Sequence, residues 1–220
     1  MNEFKNINLL TCNDSKYPEK LKQIAEYPVC LFCKGDISLL HEKSIAIIGS
    51  RKCTAYGKQA TSAFARGMAR KGFTIISGGA RGIDTFAHLG ALAVGGKTIM
   101  VLGNSLEYVY PPENKNLEER ILRNGGLIVS EYMTGTRPSK YTFPQRNRII
   151  SGLSDGVLVI EAMKNSGALI TVDFALEQGK NVFAVPGNIT SICSIGSNDI
   201  IKQGAKLVTT LQDILEEYKC

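Results

Sequence analysis

The sequence contains no tryptophan and only two histidines, His41 and His88. Two histidines far apart in the chain leave little for an imidazole-based triad or a histidine-rich metal site, and no G-x-S-x-G nucleophile elbow compensates. No run reaches the roughly 18 apolar residues of a membrane span. The stretch Met1 to Asn8 has no apolar core of the kind a secretory signal carries, so the expected location is the cytoplasm and no membrane partner is expected. Six cysteines (Cys12, Cys30, Cys33, Cys53, Cys193 and Cys220) are spread along the chain without a framework spacing, which reads as free thiols. Cys30 and Cys33 form one C-x-x-C. A structural zinc needs four ligands, and no second pair supplies them.

What the chain does have is glycine, at 22 of its 220 residues, much of it in short clusters such as Gly78-Gly79 and Gly125-Gly126. Clusters of this kind belong to tight strand-to-helix turns. From Ser44 onward, apolar runs alternate with helical periods. The runs are Ile45–Ile48, Phe73–Ile76, Thr98–Leu102, Leu127–Val129, Val157–Ile160 and Asn181–Val185. The helical patterns are Lys58–Arg70, Thr85–Ala93, Leu117–Arg123, Arg148–Leu153, Leu169–Gln178 and Leu211–Tyr218, with a short lead-in helix over Tyr17–Ala25. Short Val/Ile/Leu runs separated by helices predict parallel strands buried on both faces. The fold class is therefore α/β, an extended Rossmann-like, doubly wound and mostly parallel sheet. One domain is expected over 1–220, with 1–43 as a lead-in element packed on a 44–220 core.

Charge is distributed unevenly. The net charge is +6, yet residues 44–100 carry eight basic side chains against the single acid Asp84. The stretch RPSKYTFPQRNR (137–148) adds Arg137, Lys140, Arg146 and Arg148 with Tyr141 and Phe143 between them. Cations interleaved with aromatics suit a nucleic-acid strand, whose phosphates pair with the cations and whose bases stack on the rings. A solvated loop with its rings tucked inward accounts for this segment equally well.

In doubly wound sheets, ligands bind beyond the carboxyl ends of the strands. The first run ends in Gly49-Ser50-Arg51, where a hydroxyl and a guanidinium can hold a phosphate. The second ends in SGGARGID (Ser77–Asp84), a glycine-rich turn that brings Gly79 and Arg81 to the rim. Its spacing is neither G-x-G-x-x-G nor a Walker loop, which argues against hydride transfer with NAD and against P-loop hydrolysis. Later runs end in Gly103-Asn104-Ser105, Ser130-Glu131 and Glu161, the last followed by Asn165-Ser166-Gly167 and Thr171. The residue before Pro144 is expected to be extended, so that Arg146, Asn147 and Arg148 open the next helix and its N-terminus attracts an anion. Asp84 and His88 are four apart on a helix, and a structural role is expected for both. Glu131 and Glu161 either pair in catalysis or neutralise Arg51 or Arg146.

Taken in order, IIGSR (Ile47–Arg51), SGGARGID, VLGNSLEYVYP (Val101–Pro111), LIVSEY (Leu127–Tyr132), FPQRNRIISGLS (Phe143–Ser154), VIEAMKNSGALIT (Val159–Thr171) and FAVPG (Phe183–Gly187) resemble the DNA-processing protein A (DprA/Smf) family. The resemblance runs from about Tyr17 to the end of the chain. It implies binding and protection of single-stranded DNA, loading of the RecA recombinase in natural transformation and recombination, a homodimer, no cofactor and no catalytic turnover. By position it places phosphates on Arg51 and Lys140, a base on Phe143, and a pocket lining around Gly79 and Arg81. Ser50, Asn104, Arg146, Asn147, Ser166, Gly167 and Thr171 are further candidates for the DNA-binding site. Longer family members carry an N-terminal helical and a C-terminal winged-helix module, neither of which is expected in 1–220. Two alternatives remain. One is a phosphoribohydrolase of the LOG type, whose P-G-G-x-G-T-x-x-E motif is missing at Glu161–Thr171, and the other is a nucleotide-sensing domain.

Overall fold

The computed structural model describes residues 7–218; Cys220 and the first six residues lie outside them. The chain opens with β1 (Ile7–Thr11), helix α1 (Glu19–Lys22) and β2 (Cys30–Gly35), the two strands pairing antiparallel. It continues through β3 (Ser44–Ile48), α2 (Ala55–Arg70), β4 (Thr74–Ser77), α3 (Ile83–Leu92) and β5 (Thr98–Val101). Then follow α4 (Lys115–Arg123), β6 (Leu127–Ser130), α5 (Thr142–Leu153), β7 (Gly156–Val159) and α6 (Gly167–Glu177). The last elements are β8 (Asn181–Ala184), α7 (Ile195–Lys202), β9 (Lys206–Leu207) and α8 (Leu211–Leu215).

Among the described residues one sheet contains all nine strands, in the order β1-β2-β6-β5-β4-β3-β7-β8-β9. Every pair from β6 to β9 is parallel, as the continuous apolar runs require, while β2 joins β6 antiparallel. Every residue of β3 to β7 is buried. Leu10, Leu21, Ile149, Leu153 and Val172 pack on one face of the sheet, and Phe64, Met68, Ala87 and Ile214 on the other. From β3 the chain steps outward to β6, then returns to place β7 on the opposite side of β3. That reversal creates a crevice beyond the carboxyl ends of β3 and β7, the topological switch point where such folds take ligands.

The structure corrects the expected start of α5. The helix begins at Thr142 rather than after Pro144, so Phe143 is helical instead of extended. Pro144 falls in the first turn, where its missing N–H costs nothing because the first amides of a helix have no internal partner. Arg146, Asn147 and Arg148 consequently lie beyond the first turn, away from the N-terminus where the sequence placed them. The lead-in helix is also shorter than expected. Residues 7–11 supply an edge strand, and 30–35 supply the strand that joins it to β6. Among the described residues no helix is long and apolar enough to cross a membrane.

Candidate functional site

The loops after β3 and β7 bound a cavity of about 490 Å³ at the switch point, closed above by α5 and the segment before it. Its lining includes Ser50, Arg51, Lys52, Lys140, Phe143 and Arg146. The loop after β3 is held from both sides. The Ser50 amide donates to the Glu161 carbonyl (2.7 Å), and the Ile83 amide donates to the Ser50 carbonyl (3.2 Å). The second contact is possible because Gly82 has φ +75° and no Cβ; an added methyl would sit 2.3 Å from the Ser50 carbonyl oxygen. Gly82→Ala is expected to lower unfolding stability by about 1–3 kcal/mol through this strain, measurable by urea titration. An unchanged midpoint would show that the turn relaxes freely.

Ser50 itself is buried, and its Oγ accepts from the Lys52 amide (3.1 Å), so it shapes the turn as much as it faces the cavity. Arg51 is exposed, its guanidinium 5.7 Å from the centre of the half-buried Phe143 ring. Lys140 is exposed and lines the same cavity. Among the described residues Arg51, Lys52 and Lys140 have no carboxylate partner. Among the described residues the one acid lining this cavity is Asp84. It is buried and accepts from the Ala80 amide (3.2 Å); burial pushes its carboxyl up, against the pull of the Arg146 charge. The site therefore presents net positive potential to its opening.

At the N-terminus of α6, the Gly167 carbonyl accepts from Asn147 Nδ2 (3.1 Å), and among the described residues no side chain caps the first amides. Ser166 Oγ is buried without a partner, Gly167 has open space where a Cβ would be, and Thr171 is buried one turn on. This is a vacant donor surface facing the same cavity, suited to an anion.

Other predicted residues are engaged by groups of the protein itself. Arg146 is buried beside Gly78 and donates to the Gly78 and Val101 carbonyls, with Nε on Asn147 Oδ1 (3.2 Å). It braces the ends of β4 and β5, and burial pulls its guanidinium down to about 10. Arg148 is bound bidentately to Glu131 (2.7 and 2.6 Å) and to the Glu26 carbonyl (2.7 Å). Gly79 is buried with φ +71°, and its carbonyl accepts from Asn114 Nδ2 (2.8 Å). Arg81 is exposed and paired with Glu113. Asn104 is buried, with Nδ2 on the Ser105 and Tyr108 carbonyls (2.9 and 2.7 Å), so it shapes the loop after β5 from within. The two strand-end carboxylates do not meet. Glu131 is taken by Arg148, and Glu161 caps α2, accepting from the Thr54 amide (2.9 Å) and the Thr54 hydroxyl (2.5 Å). Asp84 and His88 contact different partners, as a structural role predicts; His88 Nδ1 pairs with Thr98 Oγ1 (2.7 Å).

Sequence reasoning passed over Lys52, whose position next to Arg51 was the available signal, and Met163, an apolar wall with no chemical signature. A larger groove of about 760 Å³ between α6 and α7 contains Ser166 but none of the other predicted residues.

Comparison with known proteins agrees with this architecture. The family model for DNA recombination-mediator protein A matches residues 8–219. The DNA processing protein DprA of Streptococcus pneumoniae is 45% identical over 217 residues, covering 99% of this chain and 76% of that protein. Its X-ray structure superposes with a TM-score of 0.92. Protein Smf of Escherichia coli is 46% identical over 97% of this chain, which spans 57% of the Smf length. DNA processing protein A of Helicobacter pylori, whose structure describes a single-stranded DNA binding mode, superposes with a TM-score of 0.87 at 34% identity, covering 96% of this chain and 95% of that one. With this match along almost its whole length, in sequence and in fold, the chain belongs to the DNA recombination-mediator protein A family, DprA/Smf.

Proposed function

We propose that this chain binds single-stranded DNA in the switch-point cavity, with phosphates on Arg51, Lys52 and Lys140 and at the N-terminus of α6, and a base against Phe143. The observation that carries this reading is a set of unpaired cations around one accessible aromatic face. Cations track a phosphate backbone, and a ring accepts any base, so together they select a strand without a sequence. The single-stranded DNA binding mode described for the Helicobacter pylori relative supports it.

A mononucleotide site or a phosphoribohydrolase is disfavoured by Glu161. Its carboxylate fills the N-terminus of α2, the position a dinucleotide-binding fold reserves for phosphate, and is spent on Thr54. Asp84, the one acid lining the cavity among the described residues, is buried beside the Arg146 charge and is badly placed to activate water.

By family membership we extend the proposal to one domain over 1–220, loading of a RecA-type recombinase in the cytoplasm, no turnover and a homodimer. Exposed Ile189 (90%), Ile192 (67%) and Leu207 (47%) support a subunit contact in the C-terminal half.

The test is fluorescence anisotropy with a labelled oligonucleotide at several salt concentrations and duplex of equal length as competitor. Log affinity is expected to fall with log salt by about 0.7 per phosphate neutralised. Arg51→Ala is expected to reduce that slope, and Phe143→Ala to cost about 1–3 kcal/mol of binding. Absence of binding at low salt, or release of free base from a nucleoside monophosphate, would overturn the proposal.

A further inference from the structure

A second aromatic stands beside the cavity. Tyr110, in the loop between β5 and α4, is 45% exposed, and its ring centre lies 5.4 Å from that of Phe143 with the planes 34° apart. Phe143 is the more enclosed of the two. An edge carbon of its ring would lie 2.8 Å from a Cβ at Gly103, and Arg51 covers it at 5.7 Å. A small hollow of about 40 Å³ joins Arg51, Arg81, Tyr110 and Phe143, so the tyrosine is continuous with the main cavity.

The loop that presents Tyr110 is braced at several points. Asn104 holds the Tyr108 carbonyl, Ser130 Oγ holds the Asn104 carbonyl (2.7 Å), and Asn114 is tied to the Gly79 carbonyl. Arg137 lies 5.9 Å from the centre of the Tyr108 ring and covers this side of the loop. A large ring left in water on a fixed loop, next to a cation-lined cavity, is a ready stacking surface.

We infer that Tyr110 is a second base-stacking platform, holding the nucleotide adjacent to the one on Phe143, so that a bound strand leaves the cavity over the loop between β5 and α4 towards Arg81. This inference rests on the single-stranded DNA reading above. It makes the buried Asn104 a positioning residue for the platform rather than a contact to the strand.

The experiment uses the full chain and labelled oligothymidylates from about 4 to about 16 nucleotides. Tyr110→Ala is expected to weaken binding of the longer strands about tenfold while leaving the shortest unchanged, and Tyr110→Phe to bind as wild type. Because the chain has no tryptophan, Tyr110→Trp places a single indole on the platform, and its emission should be quenched by the long strands only. This variant keeps the test decisive if Tyr110→Ala does not fold. Equal affinity of Tyr110→Ala and wild type at every length, with an unquenched indole, overturns the inference while the DNA-binding reading stands. An equal loss on short and long strands also overturns it, since Tyr110 would then only prop Phe143. Failure of wild type to bind any strand removes the underlying reading instead.

Discussion

Arg148→Ala is expected to lower unfolding stability by about 3–5 kcal/mol while leaving the DNA affinity of the folded molecules unchanged, whereas Arg51→Ala does the reverse. Both residues sit in basic stretches of the sequence, but their surroundings differ. The Arg148 and Glu131 side chains are only 11% and 15% exposed, and both terminal guanidinium nitrogens meet the carboxylate. Its Nε reaches the Glu26 carbonyl, so one side chain ties α5 to the end of β6 and to the segment before β2. Truncation leaves the Glu131 carboxylate nearly buried and unpaired, which costs more than the ion pair contributes when intact. Arg51 has no such partner, and its removal leaves nothing stranded. Urea unfolding and anisotropy on the same two variants separate the cases. An Arg148→Ala protein that melts normally but loses the strand would place Arg148 in the interface and undo this assignment.

The contrast explains which parts of the site were legible in the sequence. The alternation from Ser44 onward predicted the six strands β3 to β8 and their order of appearance, because strands buried on both faces leave continuous apolar runs. The edge strands left no such mark. Ile7–Thr11 is mostly exposed or half-buried, and Lys206–Leu207 is two residues long. Within 137–148 the sequence displayed four cations but not their fates. Arg146 is internal because the Gly78 and Val101 carbonyls, far away in the chain, converge on it where β4 and β5 end. That convergence depends on α5 starting at Thr142, with Pro144 a first-turn residue rather than a boundary. Glu161 was likewise visible as a strand-end acid, while its role as the cap of α2 required knowing that Thr54 lies against it. Arg51 and Lys140 were legible as free cations because no acid neighbours them in the sequence, and among the described residues neither has a carboxylate partner in the fold.

The chain is also expected to lose stability in mild acid through a residue remote from the interface. His88 is fully buried on α3. Thr98 Oγ1 donates to the Ile75 carbonyl (2.7 Å), which leaves the hydroxyl oxygen to accept from His88 Nδ1–H. The tautomer is thereby set, and Nε2 is left buried and, among the described residues, without a partner. A proton there would be an unpaired internal charge. Burial, with the nearby Arg146 charge adding to it, pushes the imidazole down to about 3. In the unfolded chain the ring titrates near 6.5. Below that value the unfolded state binds a proton that the folded state refuses, so stability is complete above about pH 6.5 and falls by about 1.4 kcal/mol per pH unit towards pH 3. By pH 5 the loss is about 2 kcal/mol. Asp84 acts in the opposite sense, since its raised folded-state affinity for protons favours folding as the pH falls. The two are separated by His88→Asn, whose amide can still donate to Thr98 but cannot titrate. Its unfolding free energy, followed by urea titration from pH 7 to pH 4.5, should decline less steeply than that of wild type by about 1.4 kcal/mol per unit below pH 6.5. Parallel curves for the two proteins would mean that the folded state protonates His88 without penalty, and that the orphaned Nε2 finds a partner in water.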